Sequence, residues 1–289
     1  MSSASPPATT GAAAAASARI HDQGYRPFEG PRGAVHTRWW AIAGNELRQA
    51  WKSRWFRRLL WAAFFPLGVF GVLVLVRGRL NAVLGPAQLW PEFWKVQLFF
   101  GVVAVYFTGR GAVGEDLRTG ALGLYFARPV DFRQYLLGKW AAVALASAGV
   151  LAVPGLVLAL FRLAAEPGTG ALAVLGWAAS LLLLALGMAL CGGWVMLAVS
   201  ALVGRGRAAG IVWIVLYFAS SAAGLALAGT TGIDALGCVG IGRASQSLAG
   251  WLFGSAGPCP PAAAAAGLLG WTALGLGLTV WRLRRWRRR

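Results

Sequence analysis

At 289 residues the chain has the length of one or two soluble domains, yet 58% of its residues are hydrophobic and only 12% are charged. Mean hydropathy is +0.63, and apolar runs of about 20 residues cross roughly 30 Å of hydrocarbon as helices, so lipid and neighbouring helices replace a soluble core. The formal net charge of +18 would suit a nucleic-acid binder, but the cations gather at the ends of apolar runs; acidic lipid headgroups, and no nucleic acid, are the expected partners.

The chain opens on a leader, residues 1–35, rich in Ala, Ser, Pro and Thr and without a cation before Arg19. A cleavable signal peptide needs a basic start followed by an apolar stretch, so the leader is expected to be a disordered or extended cytoplasmic segment. Its stretch from Tyr25 to Pro31 reads equally as an extended strap or a loose tether. From residue 36 onward a single transmembrane domain is expected. Trp39, Ala43, Leu47, Trp51, Trp55 and Leu59 recur every four residues, with Arg48, Lys52, Arg54 and Arg58 between them. Steps of four drift by about 40° each, so this stripe winds slowly around a helix. Tryptophan beside Lys and Arg marks a helix lying in the membrane interface; the alternative is a long first helix that merely starts in the cytosol.

Six spans follow, at about 59–76, 93–114, 138–161, 171–203, 208–228 and 262–281. The second apolar run is short and has to recruit its flanks. The fourth is too long for one upright span, and is expected to tilt or to break near Gly192-Gly193. The fold class is all-α: a polytopic membrane protein with six transmembrane helices, an N-terminal interfacial amphipathic helix and a cytoplasmic helix between spans two and three. Loop charges orient it. Of the 27 cations, 22 fall before span one, after spans two and four, or in the tail, leaving Arg77, Arg79, Lys95, Arg162 and Arg243 opposite. The positive-inside rule therefore puts both termini in the cytoplasm.

The longest external segment, Gly229–Pro261, holds Cys238 and Cys259, together with short amphipathic pieces such as Ala244–Phe253. An oxidising compartment would permit a disulfide between the two cysteines; spacing alone leaves both the bridge and two unrelated thiols open. Cys191 lies in span four and is expected to pack as a small apolar residue. Gly176, Gly187, Gly192 and Gly193 in span four, and Gly267, Gly270, Gly275 and Gly277 in span six, allow close helix approach.

Several chemistries lack their residues. No Asp, Glu or His lies inside the spans, where ion-coupled transporters keep them. His21 and His36 both precede span one and have no assigned role. A P-loop ends Gly-Lys-Ser/Thr, but Gly138-Lys139 is followed by Trp140. No catalytic, cofactor-binding or metal-ligating residue is therefore expected, and the chain is not expected to be an enzyme.

The loop after span two runs Gly114-Glu115-Asp116-Leu117-Arg118-Thr119-Gly120-Ala121-Leu122-Gly123-Leu124-Tyr125-Phe126-Ala127-Arg128-Pro129-Val130 and continues to Leu137-Gly138-Lys139. Acids at its start favour a helix N-terminus, and Pro129 closes it. Leu117, Ala121, Leu124 and Tyr125 share one face at helical spacing. Such a helix docks into a partner's groove or is simply an interfacial loop. The pattern of an acidic start, Arg-Thr-Gly-Ala-Leu, Arg-Pro-Val and Leu-Gly-Lys resembles the first cytoplasmic loop of permease subunits of ABC-2-type transporters. Glu46-Leu47-Arg48 before span one and the six-span layout are similar to that family too. The resemblance implies a bacterial inner (plasma) membrane protein, working as a homodimer or heterodimer with a second permease subunit and with an ABC ATPase subunit that binds ATP and Mg. Glu115–Arg128 would be the coupling helix, with Glu115, Asp116 and Arg118 as polar contacts and Leu117, Leu122 and Leu124 as packing anchors. The expected function is an exporter's membrane subunit. The rivals are a non-transporting membrane anchor or assembly scaffold, and a passive channel or gradient-driven carrier.

Overall fold

The structure, a computed structural model, describes residues 38–76, 88–126, 130–165 and 170–288. The leader and its strap, the histidines, and Arg128-Pro129 of the loop pattern lie outside the described residues. Among the described residues there is no strand, and six helices are long and apolar enough to cross a membrane.

Helix α1 (Arg38–Lys52) turns Ile42, Ala43 and Ala50 inward. It stops at Ser53, which adopts an extended backbone and accepts a hydrogen bond from Phe56 N at 3.4 Å, capping α2 (Arg54–Ala62). Serine is a strong cap former because its hydroxyl satisfies an orphan N–H. Ser53 ends α1 within the expected stripe, which already winds around α1 before it. Trp39, Ala43 and Leu47 pack towards the bundle, whereas Trp51 and Trp55 turn outward at 58% and 65% exposure. After a turn at Ala63-Phe64, α3 (Phe65–Val76) completes the first span with Pro66 in its first turn, where a missing N–H costs nothing.

The second span, α4 (Leu89–Gly109), reaches beyond its short apolar run by burying Leu89 and Trp90. The loop then forms two helices rather than one, α5 (Gly114–Thr119) and α6 (Ala121–Phe126). Gly120 divides them at φ +73°, a left-handed conformation that glycine adopts without a Cβ penalty. Leu124 is consequently turned out, at 73% exposure, away from Leu117 and Tyr125. Spans three to six are α7 (Phe132–Ala165), α8 (Ala171–Val203), α9 (Gly206–Thr231) and α11 (Pro261–Arg287); a 3₁₀ turn (Asp234–Val239) and α10 (Ile241–Leu252) lie between the last two.

Span four does not break. α8 is one helix of 33 residues, about 49 Å long at 1.5 Å per residue, and it is the most buried of the six. Its glycine pair takes in aromatic side chains instead. Gly193 lies against Trp140, whose ring stacks on Trp194 at 5.8 Å, and Gly192 faces Trp213. A Cβ on Gly275 would come within 2.7 Å of the backbone at Trp194, so α11 rides directly on α8. Gly176, Gly187, Gly270 and Gly277 meet nothing nearby.

Pro154 within α7 cannot donate to the carbonyl of Val150. Gln97 of α4, fully buried, donates to that carbonyl at 2.6 Å and to Ala63 O at 3.3 Å. One amide thus satisfies a proline-freed carbonyl and joins spans one, two and three, in a region where an orphaned carbonyl would have no water.

Candidate functional site

The charged side chains of interest meet at the end of the bundle where α1, α5 and the start of α7 come together. Lys139 sits one turn inside the apolar part of α7, with its side chain only 3% exposed. Its ammonium lies 2.7 Å from Glu46 Oε1 on α1 and 2.7 Å from Asp116 Oδ2 on α5. Tyr135, one turn earlier on α7, donates its hydroxyl to the same Asp116 oxygen at 2.8 Å. The Tyr125 and Tyr135 rings each lie 5.7 Å from the ammonium. A buried cation is tolerated only when paired and hydrogen-bonded; here two carboxylates from two other elements supply the pairing.

Two glycines let the backbones close on this knot. At Gly138 a Cβ would come within 2.7 Å of Trp39 O and Ile42 Cβ, so only glycine lets α1 lie across α7 there. At Gly114 a Cβ would clash with Ser200 O and crowd Gly204 Cα at 3.0 Å. That contact brings α5 onto the end of α8. Ser200 Oγ accepts from Gly114 N at 3.0 Å and Val113 N at 3.3 Å, and donates to Arg110 O at 3.2 Å. The start of α5, whose first N–H groups have no helical partner, is plugged by a hydroxyl of span four.

Beside the knot is a cavity of about 370 Å³, lined by Glu46, Gln49, Arg110, Glu115, Asp116 and Arg207 among others. Arg110 and Arg207 place two cations on the walls of the cavity that Glu46, Glu115 and Asp116 also line. The Glu115 carboxylate bends back over Gly111 and over Gly206, where a Cβ would meet it at 3.1 and 3.4 Å. Gly206 opens α9, and an anion is favoured at that helix end. Among the described residues no group of three or more His, Cys, Asp or Glu side chains gathers closely enough to hold a metal ion.

The expected loop contacts fall into two sets. Asp116 and Leu122 face their own chain: Asp116 is in the knot, and Leu122 is fully buried with Val113, Tyr135 and Leu197. Leu117 is partly buried on the same cluster. Glu115, Arg118 and Leu124 remain at the surface. Sequence reasoning missed Glu46, Tyr135 and Lys139 as a unit, although Glu46 is the sole acid of α1 and Lys139 the only cation within the apolar start of span three.

At the opposite end, Cys238 and Cys259 are joined by a disulfide with their Cα atoms 6.3 Å apart. Ser247 accepts from Cys259 N at 3.0 Å, and Trp251 Nε1 donates to Cys259 O at 3.2 Å. α10 packs against α4, α8, α9 and α11, with Trp94 Nε1 donating to Ser245 Oγ at 3.0 Å. A Cβ on Gly224 or Gly267 would run into the carbonyls of Gly237 and Cys238. Cys191 is buried and unbridged.

No family model matches the chain, and no curated protein matches it.

Proposed function

We propose that the chain is the membrane-spanning subunit of an ATP-driven transporter, in the manner of the ABC-2 permeases its loop resembles, and that a separate ATPase supplies the energy. The reading takes the cation-rich end as cytoplasmic, by the positive-inside rule. The observation that carries it is the double attachment of α5. Asp116 ties this loop helix to Lys139 at the start of span three, and Ser200 ties it to the end of span four. A push on α5–α6 from the cytoplasm therefore reaches two long helices and, through Glu46, the N-terminal helix α1.

The surface left for the ATPase is Glu115, Arg118 and Leu124. Leu122 and Asp116 hold the loop to its own chain, and Leu117 contributes more to that hold than to a partner. Export is the direction we favour, with two permease halves forming the pathway between them.

The test is purification of the full chain from its native membranes in mild detergent. The proposal predicts that an ATP-hydrolysing subunit accompanies it, and that Leu124→Asp reduces that association at least about tenfold, a loss of one well-packed anchor. Membrane insertion should be unchanged. Stable isolation without an ATPase would favour the scaffold rival, and transport persisting without ATP would favour a passive carrier.

A further inference from the structure

A second cavity, of about 670 Å³, opens between α2 and α7 on the outer face of the bundle. Its walls are apolar, with Trp61, Val150, Val153 and Pro154 among them, and Trp51 and Arg57 stand at its rim. Val153 is 46% exposed and Trp61 81%, and a Cβ on Gly149 would meet nothing within 4 Å. From Leu145 to Pro154 the α7 wall is about 14 Å long at 1.5 Å per residue. That matches the hydrocarbon depth of one leaflet, about half of 30 Å.

We propose that this groove seats one anionic phospholipid, its acyl chain along α7 and its phosphate at the arginines of α2. Charge selects the class of occupant. Arg54, Arg57 and Arg58 fall at i, i+3 and i+4, on one face of α2, and no acidic residue occurs between Glu46 and Glu92 to neutralise them. Arg57 lines the groove itself, and Arg58 lies 5.0 Å over the ring of the exposed Trp55 one turn from it. The shape selects a chain rather than a helix: the gap at Gly149 lies between two helices that both pack on α1 and α4, which leaves no room for a further helix. The site is independent of the transport reading, since it needs only a membrane.

The experiment is native mass spectrometry of the full-length protein released from micelles containing equal amounts of palmitoyl-oleoyl phosphatidylglycerol and phosphatidylcholine. Wild type should retain phosphatidylglycerol over phosphatidylcholine by at least about fivefold, the gain expected from one arginine near an anionic headgroup. The triple variant R54Q/R57Q/R58Q should lose that preference. Gly149→Leu, which fills the slot, should lower retained phosphatidylglycerol by a similar factor while leaving the arginines in place. Val153→Trp fills it from another turn of α7, and decides the matter should G149L fail to fold. Equal retention of the two lipids overturns the proposal. So does full phosphatidylglycerol retention in both slot-filling variants, which would mean that the arginines act only as a diffuse surface charge.

Discussion

At the cation-rich end, α1, α5 and α7 meet through Glu46, Asp116 and Lys139, three ionised groups that touch through hydrogen-bonded ion pairs. At the opposite end, the 3₁₀ turn and α10 are held by a disulfide, by glycines against carbonyls, and by tryptophan N–H groups donating to backbone and serine oxygens. The first kind of junction has side-chain freedom, because three side chains on separate helices carry it. The second has less, because a covalent bond and a backbone contact at glycine permit little sliding. Such a division suits a machine that receives force at one end and keeps its other end assembled.

The largest expected effect tests the charged junction. Lys139→Met strands two carboxylates and should cost about 3–5 kcal/mol, the range for breaking a buried pair from one side. Thermal unfolding in detergent checks it. If the end is held by charge, the triple variant K139M/E46Q/D116N should recover much of the loss; if it recovers none, methionine has disturbed the packing of α1 on α7 instead. The other end should respond to reduction. Opening Cys238–Cys259, which closes a loop with a sequence separation of 21, should cost about 3 kcal/mol. A reductant that lowered the unfolding temperature of C238S/C259S as much as that of wild type would remove the disulfide from the account.

Between the two ends lies Gln97. Replacing it with Leu leaves the Val150 and Ala63 carbonyls without their donor, and should cost about 1–3 kcal/mol. The matching variant Pro154→Ala restores the helix's own bond to Val150, so Q97L should be milder in that background. Absence of any such coupling in the double-mutant cycle would deny Gln97 its role at the proline. The smallest effect on stability belongs to Leu124→Asp. An exposed residue should shift stability by no more than about 0.5 kcal/mol, which is what makes it a clean probe of partner binding.

Much of this architecture was legible in the amino-acid sequence because membrane spans announce themselves by length and apolarity. The features that were not legible turn on single residues whose effect is geometric. Ser53 ends α1 and caps α2, a division that the four-residue stripe does not show. Gly120 after Thr119 is a recognisable helix stop, yet the helical spacing of Leu117, Ala121 and Leu124 outweighed it. Span four invited a break at Gly192-Gly193, but those glycines accommodate indole rings and leave the helix intact. Lys139 was hidden among cations counted for topology. Its burial depends on Glu46 and Asp116, which are 93 and 23 residues away in sequence and become neighbours only once Gly138 and Gly114 let the backbones close.

Placing a photo-cross-linking amino acid at position 124, and a control at Ile233 on the opposite end, tests the central claim most directly. Illumination of native membranes should join position 124 to an ATP-binding subunit, and that adduct should diminish when the knot is broken by K139M. Position 233, also exposed at 53%, should give no such adduct. Cross-links from position 124 to lipid alone, or the same ATPase adduct from both positions, would contradict the proposal that α5–α6 is where this protein receives its energy.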